Sequence, residues 1–210
     1  MTPHRGSRMM DGVKMRTVLW GAALGAAGAA VGHAALRTDA GRDLDEQLFK
    51  TINAGHGPDI DRYFFSITEL GSLYAAGAAA GAIALCGRPR EAARALTAAG
   101  TTWFLGQGIK KTVDRPRPFQ ADEHGTRRMI AEPHGTSWPS SHPAVLTTFT
   151  RVASRELGLG PIAAAALTSL DAAVATSRVY LGVHYPSDVV SGLLFGRAVA
   201  RVWPRGRSRS

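Results

Sequence analysis

The sequence predicts an all-α fold in which six helices cross a membrane, and three observations support that prediction. Uncharged segments rich in Ala and Gly recur along the chain, and the first runs from Thr17 to Leu36. Such a segment is long enough to cross the ~30 Å hydrocarbon core of a bilayer. Between the uncharged segments, apolar residues recur at helical spacing, as at Leu44, Leu48 and Ile52. Basic residues gather in the tails and short connections, and the net charge of +9 favours an anionic membrane surface.

The ends of the chain differ from its middle in composition. Residues 1–16 are basic and irregular, so we predict a solvated tail, then a single domain over 17–203 and a second basic tail over 204–210. The segment 17–36 has two interpretations that the sequence leaves open. It is either a retained spanning helix or the apolar part of a secretory signal peptide with small residues near Ala34.

The remaining elements follow from periodicity and from Gly and Pro. Residues 37–61 are amphipathic and predict a short helix on the membrane surface, ended by the Gly and Pro residues of 55–58. We then predict helices over 60–87 and 95–109, a Pro-containing loop over 110–141, and helices over 142–157, 161–180 and 186–203.

The positions of the basic residues predict the orientation in the membrane. With six crossings, both tails, the Arg88–Arg94 turn and the Arg151–Arg155 region lie on one side. Loops rich in Lys and Arg face the cytoplasm, so this side is predicted to be cytoplasmic. The loops at 110–142 and 178–188 then share the extracytoplasmic side. The prediction is a multi-pass protein of the cell membrane.

Other classes of partner are not indicated. No basic patch interleaved with aromatic residues and no Cys/His finger spacing supports binding of nucleic acid. Cys86 is the sole cysteine, so the chain has no internal disulfide. No acidic cluster has metal-ligand spacing, so neither a metal nor another cofactor is predicted. The oligomeric state is not predicted.

One stretch, 177–188, combines an arginine, a histidine and a carboxylate. Pro186 suits the first turn of a helix, which brings Asp188 back toward the ring of His184. A carboxylate bonded to one imidazole nitrogen fixes the tautomer and leaves the other nitrogen free to attack. Taken alone, a His-x-x-x-Asp pair is more often a structural hydrogen bond, so its interpretation depends on the rest of the chain.

Two further clusters precede this stretch, at Lys110–Pro118 and at Pro139–His142. Together the three read K-x6-R-P, P-S-S-H and S-R-x5-H-x3-D in chain order. In that order and spacing they resemble the phosphatidic acid phosphatase type 2 family, which shares its site with the vanadium haloperoxidases. The resemblance covers Lys110–Asp188. Ser141 stands where the commoner family pattern has Gly, which puts any special glycine conformation there in doubt.

The resemblance implies a role for each residue of the three clusters. His184 is the implied nucleophile that forms a phosphohistidine, and Asp188 orients its ring. His142 would protonate the leaving oxygen and then activate water. The implied phosphate-binding residues are Lys110, Arg117, Ser140, Ser141 and Arg178. Arginine suits this task because its planar fork binds two phosphate oxygens.

Three charged residues near these clusters receive predictions from the sequence itself. Arg115, like Lys111, is a surplus cation that is expected to be a solvated flank or to steer the substrate. Asp171 lies two helical turns before Arg178 on the same face, so we predict that these two side chains are partners.

The resemblance therefore implies a six-helix membrane phosphatase of the phosphatidic acid phosphatase type 2 kind. Its substrate would be a lipid phosphate or a prenyl diphosphate such as undecaprenyl diphosphate, hydrolysed at the extracytoplasmic face. Three alternatives stay open: a secreted soluble acid phosphatase of the same superfamily, a vanadate-dependent haloperoxidase, and a non-catalytic membrane scaffold. The sequence does not distinguish a monophosphate from a diphosphate substrate.

Overall fold

The computed structural model describes residues 5–122 and 125–206, and over those ranges its regular structure is entirely helical. The helices are α1 (Arg5–Arg37), α2 (Asp39–Asn53), α3 (Pro58–Thr68), α4 (Leu73–Leu85), α5 (Pro89–Lys110), α6 (Pro118–Ala121), α7 (Ser141–Leu157), α8 (Pro161–Tyr180) and α9 (Pro186–Val202). The all-α prediction is confirmed. The described ranges hold nine helices where six crossings were predicted, because α2 and α6 are short additions and the helix expected over 60–87 is broken.

That break is a 3₁₀ turn, Glu69–Gly71, which joins α3 to α4. The two helices are bent by 71° at this turn. The side chain of Ser72 caps α4 by accepting the N–H of Ala75 at 3.1 Å. The apolar pattern runs through the bend without interruption, which is why the sequence predicted one continuous helix.

Helix α1 begins at Arg5, so the tail predicted as irregular over 1–16 is helical from that residue onward. Its small residues let it approach α9 closely. A methyl group on Gly28 would lie 3.3 Å from Leu194 Cβ, and Ser191 Oγ donates to the Gly28 carbonyl oxygen at 2.9 Å. Helix α1 therefore packs along α9 as part of the helical bundle.

Small side chains also fill the contact between α4, α5 and α7. Its buried residues are Ala76, Ala80, Ala92, Ala95, Ala98, Ala99, Val145, Phe149 and Val152. A polar bridge crosses this region, since the hydroxyls of Thr102 and Thr148 lie 2.9 Å apart. Alanine-rich interfaces of this kind allow close helix packing without large apolar side chains.

A close crossing of α7 and α9 positions the start of each helix. A methyl group on Gly192 would lie 2.4 Å from the Ser140 carbonyl oxygen. One on Gly196 would lie 2.5 Å from the Ala144 carbonyl oxygen. Glycines four residues apart allow this approach, as in paired membrane helices. The first turn of α7 is therefore held beside the first turn of α9.

Within the described ranges, two helices are long and apolar enough to cross a membrane, Met15–Arg37 within α1 and Pro161–Tyr180, and the bent pair α3–α4 is a third candidate span. Apolar side chains are also exposed around the bundle, including Trp20, Phe65, Tyr74, Leu85, Phe104 and Ile162. A large apolar periphery of this kind is typical of a membrane-facing surface.

Helix α2 differs from its prediction as a purely superficial helix. Leu44 and Leu48 are exposed, as a surface helix requires, but Asp45, Phe49 and Asn53 are buried against the bundle. Asn53 Nδ2 donates to the Tyr180 carbonyl oxygen at 2.8 Å. The helix therefore exposes apolar side chains, and its buried face combines Phe49 with the polar Asp45 and Asn53.

The basic segments gather at one end of the bundle, as their sequence positions predicted. Arg94 Nε donates to Glu156 Oε2 at 2.9 Å, and the backbone N–H of Gly206 donates to the same oxygen at 3.0 Å. These contacts join the α4–α5 turn, the end of α7 and the C-terminal segment. At the opposite end α5 and α8 finish and α7 and α9 begin. All three sequence clusters lie at that second end.

We predict that Gly192→Ala lowers the free energy of unfolding by ~1–3 kcal/mol, because its methyl group meets a backbone oxygen that cannot move aside. Gly77→Ala is the matched control, since a methyl group there meets no atom within 4 Å. The control should be neutral or stabilising by up to ~1 kcal/mol. Denaturant titration of both variants in detergent micelles measures the difference. Equal stability of the two variants would contradict the close crossing.

Candidate active site

His184 lies in the short loop between α8 and α9 and is almost fully buried. The loop turns at Gly182, whose φ is +80° and whose Cβ position lies 2.6 Å from the Arg127 carbonyl oxygen. Only glycine fits a turn with both properties. The turn directs His184 back toward the first turn of α9.

The structure brings His184 and Asp188 together, as their spacing suggested. Asp188 Oδ2 lies 3.5 Å from His184 Nδ1, which is longer than an ordinary hydrogen bond. Ser137 Oγ lies 3.4 Å from the same nitrogen and donates to Asp188 Oδ2 at 2.5 Å. Ser137 was not predicted from the sequence, because nothing in its local pattern places it beside a carboxylate 51 residues away.

Arg117 covers the other face of the imidazole. Its Nη1 lies 3.2 Å from His184 Nε2 and donates to the Val183 carbonyl oxygen at 2.8 Å. Its Nε donates to the Gly135 carbonyl oxygen at 3.0 Å. The guanidinium is therefore buried, held by backbone oxygens, and aimed at the ring nitrogen that Asp188 does not approach.

Lys110 ends α5 in the same region. Its Nζ donates to the Thr136 carbonyl oxygen at 2.6 Å, and the Thr136 hydroxyl donates back to the Lys110 carbonyl oxygen at 3.2 Å. One loop, residues 134–137, thus supplies the backbone oxygens that position both Lys110 and Arg117.

Arg178 reaches the site from the end of α8. Its Nη1 donates to Thr68 Oγ1 at 2.8 Å, so the bend between α3 and α4 helps to position it. Its buried Nε has no hydrogen-bond partner within the described residues. The predicted partnership with Asp171 is wrong: Asp171 instead accepts from Thr150 Oγ1 at 3.0 Å, because that hydroxyl on α7 lies closer.

Ser140 and Ser141 lie at the start of α7. The Ser140 N–H donates to the Asp188 carbonyl oxygen at 3.1 Å. Both hydroxyl oxygens are buried without a partner among the described residues, and no side chain caps the helix. Within the described residues, no residue other than glycine has a positive φ, so Ser141 occupies the usual glycine position of the family without backbone strain.

His142 follows in the first turn of α7 and is half-buried. Gly71 packs against it, since a methyl group on Gly71 would lie 2.8 Å from His142 Cβ. His142 lies within electrostatic range of Arg178, His184, Arg117 and Lys110. All eight residues that the sequence singled out therefore lie in one region at one end of the bundle.

Arg115 is not the solvated flank that the sequence suggested. It is buried between two carboxylates, with Nη2 2.6 Å from Asp45 Oδ2 and Nη1 2.5 Å from Asp188 Oδ1. The loop after α5 turns inward here, which places Arg115 in the interior. Neither Asp45 nor this contact was predicted, because Asp45 lies in a distant helix.

The electrostatics of the site favour an anion. Lys110, Arg117 and Arg178 are all buried, and Asp188 is the carboxylate beside them, its Oδ1 shared with Arg115. Burial lowers the pKa of the His184 imidazole to about 3, although the nearby Asp188 carboxylate opposes the change. The ring is therefore uncharged near neutral pH. Because the Arg117 guanidinium can only donate, its contact with Nε2 favours the tautomer with the lone pair on that nitrogen.

Taken together, these residues can hold a tetrahedral anion next to the imidazole of His184. Six side-chain groups are buried without a hydrogen-bond partner in the described part of the chain, and three of them, Ser140 Oγ, Ser141 Oγ and Arg178 Nε, belong to this site. Buried polar groups are nearly always satisfied, so such groups at one site indicate a polar ligand. The free backbone N–H groups at the start of α7 add a further preference for negative charge.

We predict that His184 remains uncharged as the pH falls from 7 to 4, because its folded-state pKa lies near 3 rather than 6.5. In the unfolded chain this histidine takes up a proton near pH 6.5, whereas in the folded protein it does so near pH 3. The free energy of unfolding therefore decreases as the pH falls below about 6.5. NMR titration of ¹⁵N-labelled imidazoles measures the charge, and His184→Ala assigns the resonance. Protonation of that ring near pH 6.5 would contradict the burial.

Comparison with known proteins places this geometry in a family. The model of the PAP2 superfamily matches residues 91–210. Decaprenylphosphoryl-5-phosphoribose phosphatase of Mycobacterium tuberculosis is 34% identical over 122 residues, which cover 58% of this chain and 64% of the relative. The protein of that name from Mycolicibacterium smegmatis is 36% identical over 119 residues, covering 55% and 59%. The chain thus spans roughly three fifths of the length of these relatives.

Two solved structures share the fold. LpxE of Aquifex aeolicus aligns with a TM-score of 0.67 and 27% identity, over 75% of this chain and 92% of that one. A transmembrane PAP2-type phosphatidylglycerolphosphate phosphatase of Bacillus subtilis aligns with a TM-score of 0.65 and 22% identity, over 89% and 91%. The family model covers more than half of the chain and includes all three sequence clusters, and the chain belongs to the PAP2 superfamily.

Proposed function

We propose that this protein is a membrane phosphatase that hydrolyses a lipid phosphate or prenyl diphosphate through a phosphohistidine intermediate. The observation that supports it most directly is the set of partnerless buried groups at Ser140, Ser141 and Arg178, next to the uncharged His184. A phosphoryl group supplies the acceptor oxygens that these groups need. The identity of the family supports the same chemistry.

In the first step, His184 Nε2 attacks phosphorus while the bond from phosphorus to the leaving oxygen breaks. His142 donates its proton to that oxygen, so the lipid leaves as an alcohol or a phosphate. Arg117 exchanges its contact with Nε2 for a phosphoryl oxygen. Lys110 and Arg178 hold the remaining charge, because phosphoryl transfer depends mainly on positioning and electrostatic stabilisation.

In the second step, His142 takes a proton from water as that water attacks phosphorus. The bond between phosphorus and His184 Nε2 breaks, inorganic phosphate leaves, and the imidazole becomes neutral again. Asp188 stays ionised throughout and stabilises the positive charge that the ring carries while phosphorylated. No metal is required, because the site's own cations neutralise the phosphoryl oxygens.

The substrate class follows from the relatives and from the position of the site. The curated relatives are named for a decaprenyl-linked phosphoribose, and one aligned structure for phosphatidylglycerolphosphate. We propose that six crossings, made by α1, the bent pair α3–α4, α5, α7, α8 and α9, hold the site at the extracytoplasmic surface. A lipid tail then stays in the bilayer while the phosphate enters between the ends of the helices.

Two alternatives of the sequence receive less support. A secreted form requires removal of residues 1–34, yet α1 packs along α9 and bonds Ser191 through Gly28. A haloperoxidase shares the anion site, and halide oxidation with added vanadate distinguishes it from a phosphatase. We propose the phosphatase because the relatives carry that activity in their names.

Purified protein should release inorganic phosphate from a prenyl phosphate in detergent with EDTA present. His184→Ala should lower turnover by ~10³-fold or more, since it removes the nucleophile. His142→Ala should lower it by ~10²–10⁴-fold and spare phosphoenzyme formation from a substrate with a good leaving group. His134→Ala is the matched control, because its ring is exposed beside the site. Near-normal turnover in His184→Ala contradicts the assignment, and activity that requires added magnesium contradicts the metal-free mechanism.

The orientation is tested with thiol reagents that do not cross membranes. Cys86 is exposed at the α4–α5 turn and should react only after the cells are lysed. Ala121→Cys, introduced together with Cys86→Ala, lies exposed at the site end and should react in intact cells. The reverse pattern would place the site in the cytoplasm.

A further inference from the structure

Arg115 joins two carboxylates that belong to different parts of the fold. Its Nη2 contacts Asp45 of α2 at 2.6 Å, and its Nη1 contacts Asp188 of α9 at 2.5 Å. The guanidinium carbon also lies 4.2 Å from the centroid of the Tyr185 ring. The side chains of Arg115, Asp45 and Asp188 are each at most 7% exposed. A buried arginine with two ionic partners and an aromatic face has a single available orientation.

Asp45 is itself held in place by the segment that precedes Asp188. The Ser187 N–H donates to Asp45 Oδ1 at 2.8 Å, and the Ser187 hydroxyl donates to Oδ2 at 2.6 Å. Arg115 Nη1 also contacts Ser187 Oγ at 2.8 Å. A closed network of charged and polar groups therefore links α2, the loop after α5 and the first turn of α9.

The network determines which oxygen of Asp188 faces His184. Oδ1 is occupied by Arg115. Oδ2 accepts from Ser137 Oγ at 2.5 Å and from the Tyr185 N–H at 2.8 Å, and it is the oxygen nearest His184 Nδ1. With both oxygens bound on defined sides, the carboxylate cannot rotate.

We propose that Arg115, held by Asp45, is a positioning residue that keeps Asp188 ionised and fixes Oδ2 toward His184 Nδ1. The inference rests on the proposed function, because it assigns Arg115 a role in preparing His184 for attack. Arg115 touches neither His184 nor the partnerless groups, so it acts through Asp188 alone. Two arginines only two residues apart thus have different proposed roles: Arg115 positions Asp188, and Arg117 binds phosphate.

The charges explain why a guanidinium is needed. Asp45 and Asp188 are two buried negative charges, and an isolated buried charge is costly unless it is paired. Without Arg115, Asp188 would take up a proton more readily, and a protonated Oδ2 would donate a hydrogen bond toward His184 Nδ1 rather than accept one. His184 would lose its fixed tautomer, with the proton on Nδ1 and the lone pair on Nε2.

The charged and titratable groups around Asp188 come from several elements. They are Asp45 from α2, Lys110 from α5, Arg115 and Arg117 from the loop after α5, and His184 and Tyr185 from the loop before α9. His142 from α7 acts on His184, Arg178 from α8 acts on Arg117, and α1 carries His33 alone between Thr17 and Leu36. Arg115 is the cation in direct contact with Asp188.

The experiment compares variants that change charge in steps. Arg115→Gln leaves two carboxylates without their shared cation and should lower kcat at pH 7 by ~10–100-fold, as loss of an orienting partner usually does. The acid limb of its kcat profile should move to higher pH. Adding Asp45→Asn removes one of the two charges and should move that limb back toward the wild-type position. Arg115→Lys should keep the acid limb at the wild-type pH, because the positive charge is retained. Its kcat should still be lower than that of the wild type, because an ammonium cannot bridge both carboxylates.

Arg127→Gln provides the matched control. Arg127 also pairs with a carboxylate on a distant helix, Asp61 of α3, but it does not touch Asp188. It should lower thermal stability without moving the acid limb. A shift in the control equal to that in Arg115→Gln would overturn the proposal, as would a double variant whose limb moves further than that of Arg115→Gln.

A second readout does not depend on phosphatase activity. The ¹⁵N shifts of the His184 ring should report a proton on Nδ1 in the wild type and a mixture of tautomers in Arg115→Gln at pH 6. If the wild-type protein hydrolyses no phosphate ester, the proposed function fails, yet this spectrum still tests the positioning role. An unchanged tautomer in Arg115→Gln overturns it. Should that variant not fold, Arg115→Lys, which keeps the charge but cannot bridge both carboxylates, should also give a mixture of tautomers, and an unchanged tautomer there overturns the proposal.

Discussion

The buried carboxylate of Asp188 is the point on which the rest of the site depends. A negative charge in the interior must be paired, and Asp188 receives Arg115 on one oxygen and Ser137 with the Tyr185 N–H on the other. Each partner comes from a different segment, so satisfying one carboxylate assembles the loops around it. His184 is then the remaining group within reach of Oδ2, which is how a structural requirement also orients the ring.

Packing of small residues makes this arrangement possible. Gly192 and Gly196 allow α9 to approach α7 until the Ser140 N–H donates to the Asp188 carbonyl oxygen at 3.1 Å. The hydroxyls of Ser140 and Ser141 are thereby brought beside the histidine loop. Larger residues at the crossing would separate the helix starts, and the anion site would be divided between them. The same alanine- and glycine-rich composition that makes the hydropathy modest thus brings the site residues together.

The sequence predicted the eight residues of the three clusters, the all-helical class and the end of the bundle at which the clusters lie. The all-helical class is confirmed, and the eight residues lie at one end of the bundle, because fixed spacing and the sign of charge are local properties. The roles given to those residues stay predictions. Ser137, Asp45 and Arg115 were missed or misjudged because their roles arise from contacts between distant segments. The break in the helix over 60–87 was also missed, since apolar periodicity continues through Gly71.

That break has a consequence for how the two halves of the chain cooperate. Thr68 accepts from Arg178, and Gly71 packs directly against His142, so one bend contacts both a predicted phosphate-binding cation and the predicted acid–base histidine. In a straight helix, Thr68 and Gly71 would not lie at a helix end, where the 3₁₀ turn now places both of them beside the site. The family model begins at residue 91, after this bend. The residues by which the family is recognised therefore depend on the preceding segment for their positions. In that segment, α2 supplies Asp45, and the bend supplies Thr68 and Gly71.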